Sequence, residues 1–367
     1  LYGIPILLSV LYLVYQFVGV IGAGTAVNFL EKTVFGSYLN PWVSKLVDLV
    51  LPVPVIKELL VGDYGLVTMA MTYAIAIVLP IVGFFFISFS LLEDSGYLPR
   101  LAVMVNKIFR LMGLNGKAVL PIILGFGCDT MATLTTRILE TNKERILVTL
   151  LLALGIPCSA QLGVILGLVA GLSATATTIW IGTVIAVMLL VGYLTSKVIS
   201  GEPSDFVLEL PPIRVPQMTN IIIKTMARVE WYLKEAVPLF MLGTFILFVG
   251  NKVGALAYLQ KLTDPLVVGV LGLPSKAAEA FVIGFLRRDY GAAGLFTLAK
   301  EGLLNPVQIV VSLVVITLFV PCIANFFMMV KERGMKTAII MTAFIFPFAF
   351  AVGGVLNWVL QTFQVSL

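Results

Sequence analysis

The sequence contains no histidine, only three cysteines and few charged residues, which make up 12% of its 367 positions. Without histidine, a transition-metal site would have to use thiolate, carboxylate, amide, thioether or backbone oxygen ligands. An odd number of cysteines, each inside an apolar stretch, does not make a disulfide framework. The net charge of +5 has no concentrated basic patch, which argues against nucleic acid as a partner. With 60% hydrophobic residues, the composition is that of a membrane protein.

Long apolar runs predict the membrane segments. They fall at about Ile4–Leu30, Leu66–Leu92, Ile146–Leu172, Ala176–Val198, Ala236–Val253, Pro306–Val330 and Thr337–Leu360. Between the first two, Asn40–Leu60 alternates charge with Val and Leu and contains prolines, which is typical of an interfacial helix and turn. At roughly 20 residues per crossing, the sequence predicts an all-α, polytopic membrane protein with about 8 transmembrane helices.

Two further apolar stretches are too short to span a bilayer. Ala118–Phe126 closes on GFGCDT, and Ala277–Leu286 closes on RRDYGAAG. Short hydrophobic pieces interrupted in this way are typical of the half-helices of re-entrant hairpins. We therefore expect two such hairpins.

The two short stretches belong to an internal repeat. Gly113–Asp129 and Gly272–Asp289 both open with Gly-Leu-x-x-Lys-Ala and reach Gly-Phe 12 residues later. Each is followed by an apolar segment with Pro-Cys-x-Ala and then an amide, at Pro157–Gln161 and Pro321–Asn325. This duplication predicts two gate-like repeats.

The distribution of basic residues predicts how the repeats are oriented. Of the 24 Lys and Arg residues, 15 fall in segments that an alternating topology places on one side, which is therefore cytoplasmic. One further crossing puts the second copy outside, so the repeats are inverted and the site is expected at the midplane. The predicted segments are 1–63, a first helix and interfacial segment; 64–198, gate repeat 1; 199–235, a cytoplasmic connector; and 236–367, gate repeat 2.

The break at GFGCDT has the residues of a cation site. Gly125 and Gly127 allow a tight turn, and the last carbonyls of the preceding half-helix would be unpaired there. Asp129 stands where an N-cap would start the next helix, and Cys128 lies at the junction, where a cation would favour its thiolate. Two alternatives stay open: Cys128 as a small hydrophobic residue, and Asp129 as a helix cap alone.

The Pro-Cys elements extend this candidate site. Cys158 and Cys322 follow prolines that would free backbone carbonyls, and Gln161 and Asn325 are candidate oxygen donors. Which cysteines are ligands stays open. Thiolate with oxygen ligands suits Fe²⁺, Mn²⁺, Co²⁺ or Zn²⁺ and disfavours Mg²⁺ and Ca²⁺.

Charged residues near the breaks allow two interpretations. Asp289 could pair with Arg287 or Arg288 inside the membrane, or the hairpin tip could reach water and leave these charges solvated. The spacing from Arg137 to Arg145 predicts a structural lattice of i, i+3 and i, i+4 pairs.

Two segments of the chain resemble the gate regions of a known transporter family. Leu92–Leu147 resembles the first gate region of FeoB ferrous iron transporters, with their Leu-Glu-Asp-Ser-Gly-Tyr at Leu92–Tyr97 and Gly-Phe-Gly-Cys at Gly125–Cys128. Val320–Gly334 is similar to the second gate of that family. Two departures stand out: the family turn continues Cys-Asn-x-Pro where this chain has Cys-Asp-Thr-Met, and Ala-Lys-Glu is replaced by Arg287, Arg288 and Asp289.

The resemblance implies a multi-pass transporter in the cytoplasmic (inner) membrane of a prokaryote that moves Fe²⁺ into the cell as its substrate. It also implies an N-terminal GTPase domain with a helical spacer, through which alone GTP and Mg²⁺ would bind, and a small cytoplasmic accessory protein; a homo-oligomer is left open. These residues contain no Gly-x-x-x-x-Gly-Lys-Ser/Thr phosphate loop, and we expect the chain to be part of something larger.

Two functions other than iron transport stay open. One is a gate-type nucleoside transporter, which would need aromatic stacking and amide pairs at the hairpin tips. The other is a non-transporting membrane partner that anchors or senses for a GTPase. An enzyme is not expected, because no nucleophile–base pair is visible.

Overall fold

The computed structural model describes residues 9, 12–13, 16–50, 54–62, 65–169, 172–199, 201, 214–286, 288–319 and 321–363. Every regular element among them is helical, which confirms the all-α prediction. Helices before the first hairpin are the π-helical Gln16–Ala26, Phe29–Leu39 and Leu66–Val78, then α1 (Asn40–Val50), α2 (Pro54–Val61), α3 (Leu79–Asp94) and α4 (Tyr97–Leu111). The predicted interfacial segment is thus two short helices, α1 and α2.

The remaining helices carry the repeats and the connector. They are α5 (Val119–Gly125), α6 (Asp129–Thr135), α7 (Asn142–Gly155), α8 (Ser159–Val169), α9 (Ala174–Val198), α10 (Met218–Lys252), α11 (Ala255–Gly269), α12 (Lys276–Leu286), α13 (Arg288–Lys300), α14 (Pro306–Leu318), α15 (Ile323–Arg333) and α16 (Met335–Thr362), with 3₁₀ turns at Gly116–Ala118 and Thr136–Ile138.

Among the described residues, three stretches are long and apolar enough to cross a membrane. Ala174–Val198 and Met335–Thr362 are each one helix, whereas Pro306–Arg333 combines α14 and α15 across residue 320, which lies outside the described residues. The pair Tyr97–Leu111 and Gly116–Gly125, bent by 110°, gives a fourth if it is counted as one broken span. These lengths support a membrane protein, while the number of about 8 transmembrane helices stays a prediction.

One compact unit contains Leu1–Arg100 and Glu209–Val253. In it α10 packs against α3, because Arg228 donates 3.0 Å to Ser90 Oγ and 2.7 Å to Glu93 Oε2. The Arg228 guanidinium also lies 5.0 Å from the ring centroid of Phe89. Burial alone would raise the pKa of Glu93, but the hydrogen bonds and charges of Arg228 and Lys224 outweigh it and hold that pKa below its usual value.

The other compact unit contains Leu101–Leu208 and Gly254–Leu367, and it includes both copies of the repeated sequence. In each copy a hairpin of two helices is followed by a helix that ends at a break, a second short helix and a long final helix. Gly113 and Gly272 open the two copies with φ of 67° and 65°, a left-handed conformation that favours glycine. The inverted orientation of the copies stays a prediction.

Matching capping boxes begin α7 and α14. Thr141 accepts from the Glu144 amide while the Glu144 carboxylate accepts from the Thr141 amide, and Asn305 and Gln308 repeat the arrangement. Both helices end just before the repeated proline, with Ile156 and Phe319 in extended conformation. The caps and the prolines therefore fix the start and end of each helix.

The four predicted segments remain a prediction. The helix α10 runs from Met218 to Lys252 across the predicted boundary between 235 and 236.

Candidate functional site

The first hairpin turns at Gly125–Cys128, where carbonyls at the end of its own first arm accept local hydrogen bonds. The amides of Gly127 and Cys128 both donate to Leu124 O, at 3.0 and 2.9 Å, and Phe126 donates to Ile123 O. Two of the carbonyls expected to be open at this turn are therefore bonded locally. Cys128, in extended conformation, is the N-cap of α6 and makes no side-chain cap hydrogen bond. The expectation that Asp129 would be the N-cap is wrong, because Cys128 is the N-cap and Asp129 is the first residue of the helix. The Asp129 carboxylate is engaged elsewhere.

That carboxylate forms a buried ion pair with Arg288. Asp129 is 3% exposed and Arg288 2% exposed, and Arg288 Nη1 lies 2.6 Å from Asp129 Oδ2. The two residues occupy equivalent positions in the repeat, each four residues after the Gly of Gly-Phe and each first in the second arm of its hairpin. Of the two interpretations of the charges at the second hairpin tip, the one in which they are solvated is wrong for Arg288. Arg287 lies outside the described residues.

Arg288 also bonds the carbonyls freed at both helix breaks. Its Nη1 donates 3.0 Å to Ile156 O, and its Nη2 donates to Ala153 O and, at 2.7 Å, to Phe319 O. These carbonyls lie at the C-terminal ends of α7 and α14, where the partial negative charge of a helix is concentrated. The guanidinium fork suits such a set of acceptors, since it presents five donors in one plane. The breaks therefore converge on a cationic side chain.

Three buried polar atoms of the predicted site residues have no hydrogen-bond partner within the described part of the chain: Asp129 Oδ1, Gln161 Oε1 and Asn325 Nδ2. The rest of each amide is bonded across the repeats, Gln161 Nε2 to Ile316 O at 2.8 Å and Asn325 Oδ1 from Thr133 Oγ1 at 2.9 Å. Buried polar atoms are normally satisfied, so unsatisfied ones point to a ligand or water. Two of the three, Asp129 Oδ1 and Gln161 Oε1, are acceptors that a cation could use.

The three cysteines are half-buried and none is in a disulfide. Cys322 is the N-cap of α15. Its thiol interacts electrostatically with Arg288, Asp129 and Cys128. Cys158 lies at the other break, directly before α8. Across the described residues, no group of three or more Cys, Asp or Glu side chains is already set to hold a metal. The structure thus brings Cys128, Asp129 and Cys322 near one another without a finished coordination shell.

A second set of charges joins the two copies away from this centre. Arg137 makes two hydrogen bonds to Glu332, at 2.8 and 2.6 Å, although Glu332 is almost fully buried. Arg333 donates to Thr136 Oγ1 and Arg145 donates to Leu139 O. The expected lattice of local pairs from Arg137 to Arg145 is therefore wrong for Arg137, whose partner lies in the other copy.

Sequence reasoning missed Arg288 as the central residue and Thr133 as the partner of Asn325. A signal for Arg288 was present, because the repeat places it at the position equivalent to Asp129. For Thr133 the sequence carries no comparable signal.

Two family models match this chain. The model described as "Gate: Nucleoside recognition" matches residues 75–172 and 233–336, which is more than half of the chain. The model described as "Ferrous iron transport protein B C terminus" matches residues 177–228.

Individual relatives are similar over most of the chain. It is 26% identical over 361 residues to the Fe(2+) transporter FeoB of Staphylococcus aureus (strain COL), covering 90% of this chain and 53% of that protein. It is 28% identical over 319 residues to the Fe(2+) transporter FeoB of Methanocaldococcus jannaschii, covering 77% and 47%. A fusion of Fe(2+) transport protein A and Fe(2+) transporter FeoB from Porphyromonas gingivalis is 28% identical over 253 residues, covering 67% and 28%.

The chain spans about half the length of the first two of these curated relatives. A solved structure of CNTnw in an outward-facing state aligns with 96% of this chain and 88% of its own, at 16% identity and a TM-score of 0.47. That score is too low to add to the assignment.

Proposed function

The chain belongs to the Gate family with a FeoB-type membrane region, and from this premise we propose that it moves Fe²⁺ across the cytoplasmic (inner) membrane of a prokaryote into the cell. The observation that carries the proposal is the similarity over 90% of this chain to a protein named Fe(2+) transporter FeoB. We take the chain to be a multi-pass transporter and not an enzyme. A GTPase domain in the intact protein would bind GTP and Mg²⁺ and drive the transport.

The path would run past the two helix breaks. We assign Cys128, Asp129, Cys158 and Cys322 to it, with Gln161 and Asn325 as supporting donors. The chemistry would fit a borderline divalent ion, since these side chains offer thiols and oxygen acceptors, and Asp129 Oδ1 and Gln161 Oε1 have no hydrogen-bond partner among the described residues. A small accessory protein is a further proposed partner, supported by the Porphyromonas gingivalis fusion of Fe(2+) transport protein A with Fe(2+) transporter FeoB.

Anaerobic flux in sealed vesicles tests this function. Vesicles that contain the chain together with its GTPase domain should take up Fe²⁺ faster than Mn²⁺ or Zn²⁺, and Cys128→Ser should reduce Fe²⁺ uptake by about tenfold or more because a thiol ligand is lost. Ser37→Ala, a change at an exposed hydroxyl far along the chain from both copies, is the control and should leave uptake unchanged. Equal uptake by Cys128→Ser in a folded protein would remove that thiol from the path, and no flux of any ion would overturn transport.

A nucleoside is the second candidate substrate. The Gate model's description names nucleoside recognition, and the buried amides of Gln161 and Asn325 each keep one polar atom without a partner. Such atoms could bond a base, although this site also contains a buried ion pair. Thermal stabilisation by uridine but not by Fe²⁺ or Co²⁺ would favour the nucleoside, and the reverse result would favour the metal.

A further inference from the structure

Arg288 lies where a transported cation would be expected. In transporters with broken helices, carbonyls at the breaks and a nearby carboxylate bind the coupling or substrate ion. Here the carbonyls of Ala153, Ile156 and Phe319 and one oxygen of Asp129 all accept hydrogen bonds from Arg288. The protein's own cation therefore holds the acceptors that an ion would use.

We propose that Arg288 is a tethered counter-cation whose withdrawal from Asp129 makes room for a divalent ion, so that Arg288 and the ion occupy the candidate site alternately. The inference rests on the proposed function for the identity of the ion. The competition itself does not depend on which divalent ion is carried.

Electrostatics make the two occupancies exclusive. A divalent ion bound to Asp129 would lie within a few ångströms of the guanidinium, and unlike the exposed pairs of this chain both residues are almost completely buried. Like charges at that separation in a site of low dielectric constant repel strongly, and the same carbonyl lone pairs cannot serve both cations. Binding of the ion therefore requires that Arg288 leave.

The unsatisfied atoms indicate that Arg288 does not complete the site. A pair built only for stability would be expected to satisfy both carboxylate oxygens, as buried polar groups normally are. Instead Asp129 Oδ1 has no hydrogen-bond partner among the residues that the structure describes. The open oxygen is an acceptor that Arg288 does not use and that a divalent ion can bind once the guanidinium has withdrawn.

The position of Arg288 links its withdrawal to the second hairpin. Arg288 is the first residue of α13, so a displacement of that hairpin carries the guanidinium away from Asp129. Release of the acceptors and movement of the hairpin are then one event.

Binding of Co²⁺, used as the probe ion, tests the competition in the full chain reconstituted in nanodiscs. In Arg288→Gln the half-saturating Co²⁺ concentration should fall about tenfold or more, because the competing charge is gone. In Arg288→Lys the half-saturating concentration should fall about threefold, since an ammonium group cannot bond all three carbonyls in the way that the planar guanidinium does and competes less well with the ion. Arg110→Gln, at an exposed arginine in the last turn of α4, is the matched control and should bind Co²⁺ like the wild type.

The double variant Asp129→Asn/Arg288→Gln identifies the site, because it should lose the gain seen in Arg288→Gln. Unchanged half-saturation in a folded Arg288→Gln, judged by circular dichroism and gel filtration, overturns the inference. If Arg288→Gln does not fold, Arg288→Lys decides: a lower half-saturating concentration supports the competition and an unchanged one overturns it.

Flux separates this inference from the proposed function. Suppose that the wild type shows no Fe²⁺ flux but the Arg288 variants bind Co²⁺ at lower concentrations, as expected. Iron transport is then overturned, and the inference that Arg288 competes with a divalent ion is supported. If Fe²⁺ flux is normal and the half-saturating Co²⁺ concentration is the same in wild type and in the Arg288 variants, iron transport is supported and the inference about Arg288 is overturned.

Discussion

At the scale of single residues, Asp129 and Arg288 each contribute to the stability of the unit that contains both copies. Each is almost fully buried, so each relies on the other to offset the cost of removing a charge from water. Asp129→Asn leaves Arg288 charged and buried without its counter-charge. We expect it to lower the free energy of unfolding by about 3–5 kcal/mol.

Thermal unfolding in detergent measures this effect, with Asp48→Asn as the control. Asp48 also forms an ion pair, with Lys57, but both side chains are half exposed, so the control should lose no more than about 1 kcal/mol. Equal, small losses in the two variants would show that Arg288 is stabilised without its carboxylate partner.

Glu93 makes the contact between α3 and α10 sensitive to acid. Its pKa is lowered in the folded protein, so its stabilising contribution is complete above the unfolded pKa and is lost as the pH falls through the folded one. The melting temperature of wild type should therefore exceed that of Glu93→Gln near pH 6, and the difference should shrink as the pH falls to about 3.

Glu230→Gln is the control for this pH dependence. Glu230 also has a lowered pKa through Lys234, but the carboxylate is fully exposed and the pair is screened by water and salt. The variant should melt like wild type at every pH. A constant difference between wild type and Glu93→Gln over the whole range would contradict the assignment to Glu93.

Residue by residue, the sequence identified the polar centre only in part. The thiols and Asp129 stood out because they interrupt apolar segments, and the motifs around them identified the FeoB type, which the comparisons confirm. The pairing of Asp129 with Arg288 was not predicted, because an arginine at a hairpin tip is ordinarily solvated and its burial here depends on carbonyls from two distant segments. Local sequence contains no information on such a contact, and only the repeat register links the two positions.

Among the helical elements, the second hairpin depends on a close approach between its two arms. A Cβ at Gly291 would lie 2.6 Å from Gly284 Cα and 2.8 Å from Ala280 O, closer than such atoms can pack. Gly291→Ala should therefore separate α12 from α13 and lower the free energy of unfolding by about 1–3 kcal/mol or more.

Gly182→Ala is the matched control, because a Cβ there meets no atom within 4 Å. It lies in the long helix α9 and should be neutral or stabilising by up to about 1 kcal/mol, through helix propensity alone. Thermal unfolding compares the two variants, and a neutral Gly291→Ala would show that the arms can separate without cost.

The helix breaks illustrate what elements can be predicted from sequence. Pro157 and Pro321 cannot continue a helix, and the capping boxes begin α7 and α14, so both ends of these helices follow from local chemistry. The fate of the freed carbonyls does not follow from it. They were expected to face an ion, and they bond Arg288.

For the whole molecule, the prediction that the copies are inverted can be tested by labelling. Lys117 and Lys276 occupy the same position in the two copies, and inverted copies place them on opposite sides of the membrane. In a background with the three native cysteines replaced by alanine, Lys117→Cys should react with an impermeant maleimide only from the cytoplasmic side and Lys276→Cys only from the outside. Labelling of both from one side would contradict the inverted arrangement.

The ion pair between equivalent positions has a consequence for the origin of the chain. Two identical half-length subunits meeting around a twofold axis would present the same residue at both positions, so an aspartate would face an aspartate or an arginine an arginine. Opposite charges at these positions require two halves that differ, and a single gene in which the duplicated halves diverged supplies them. Cutting this chain into halves and pairing either half with itself should therefore fail to rebuild the centre, whereas the two unlike halves together should restore it.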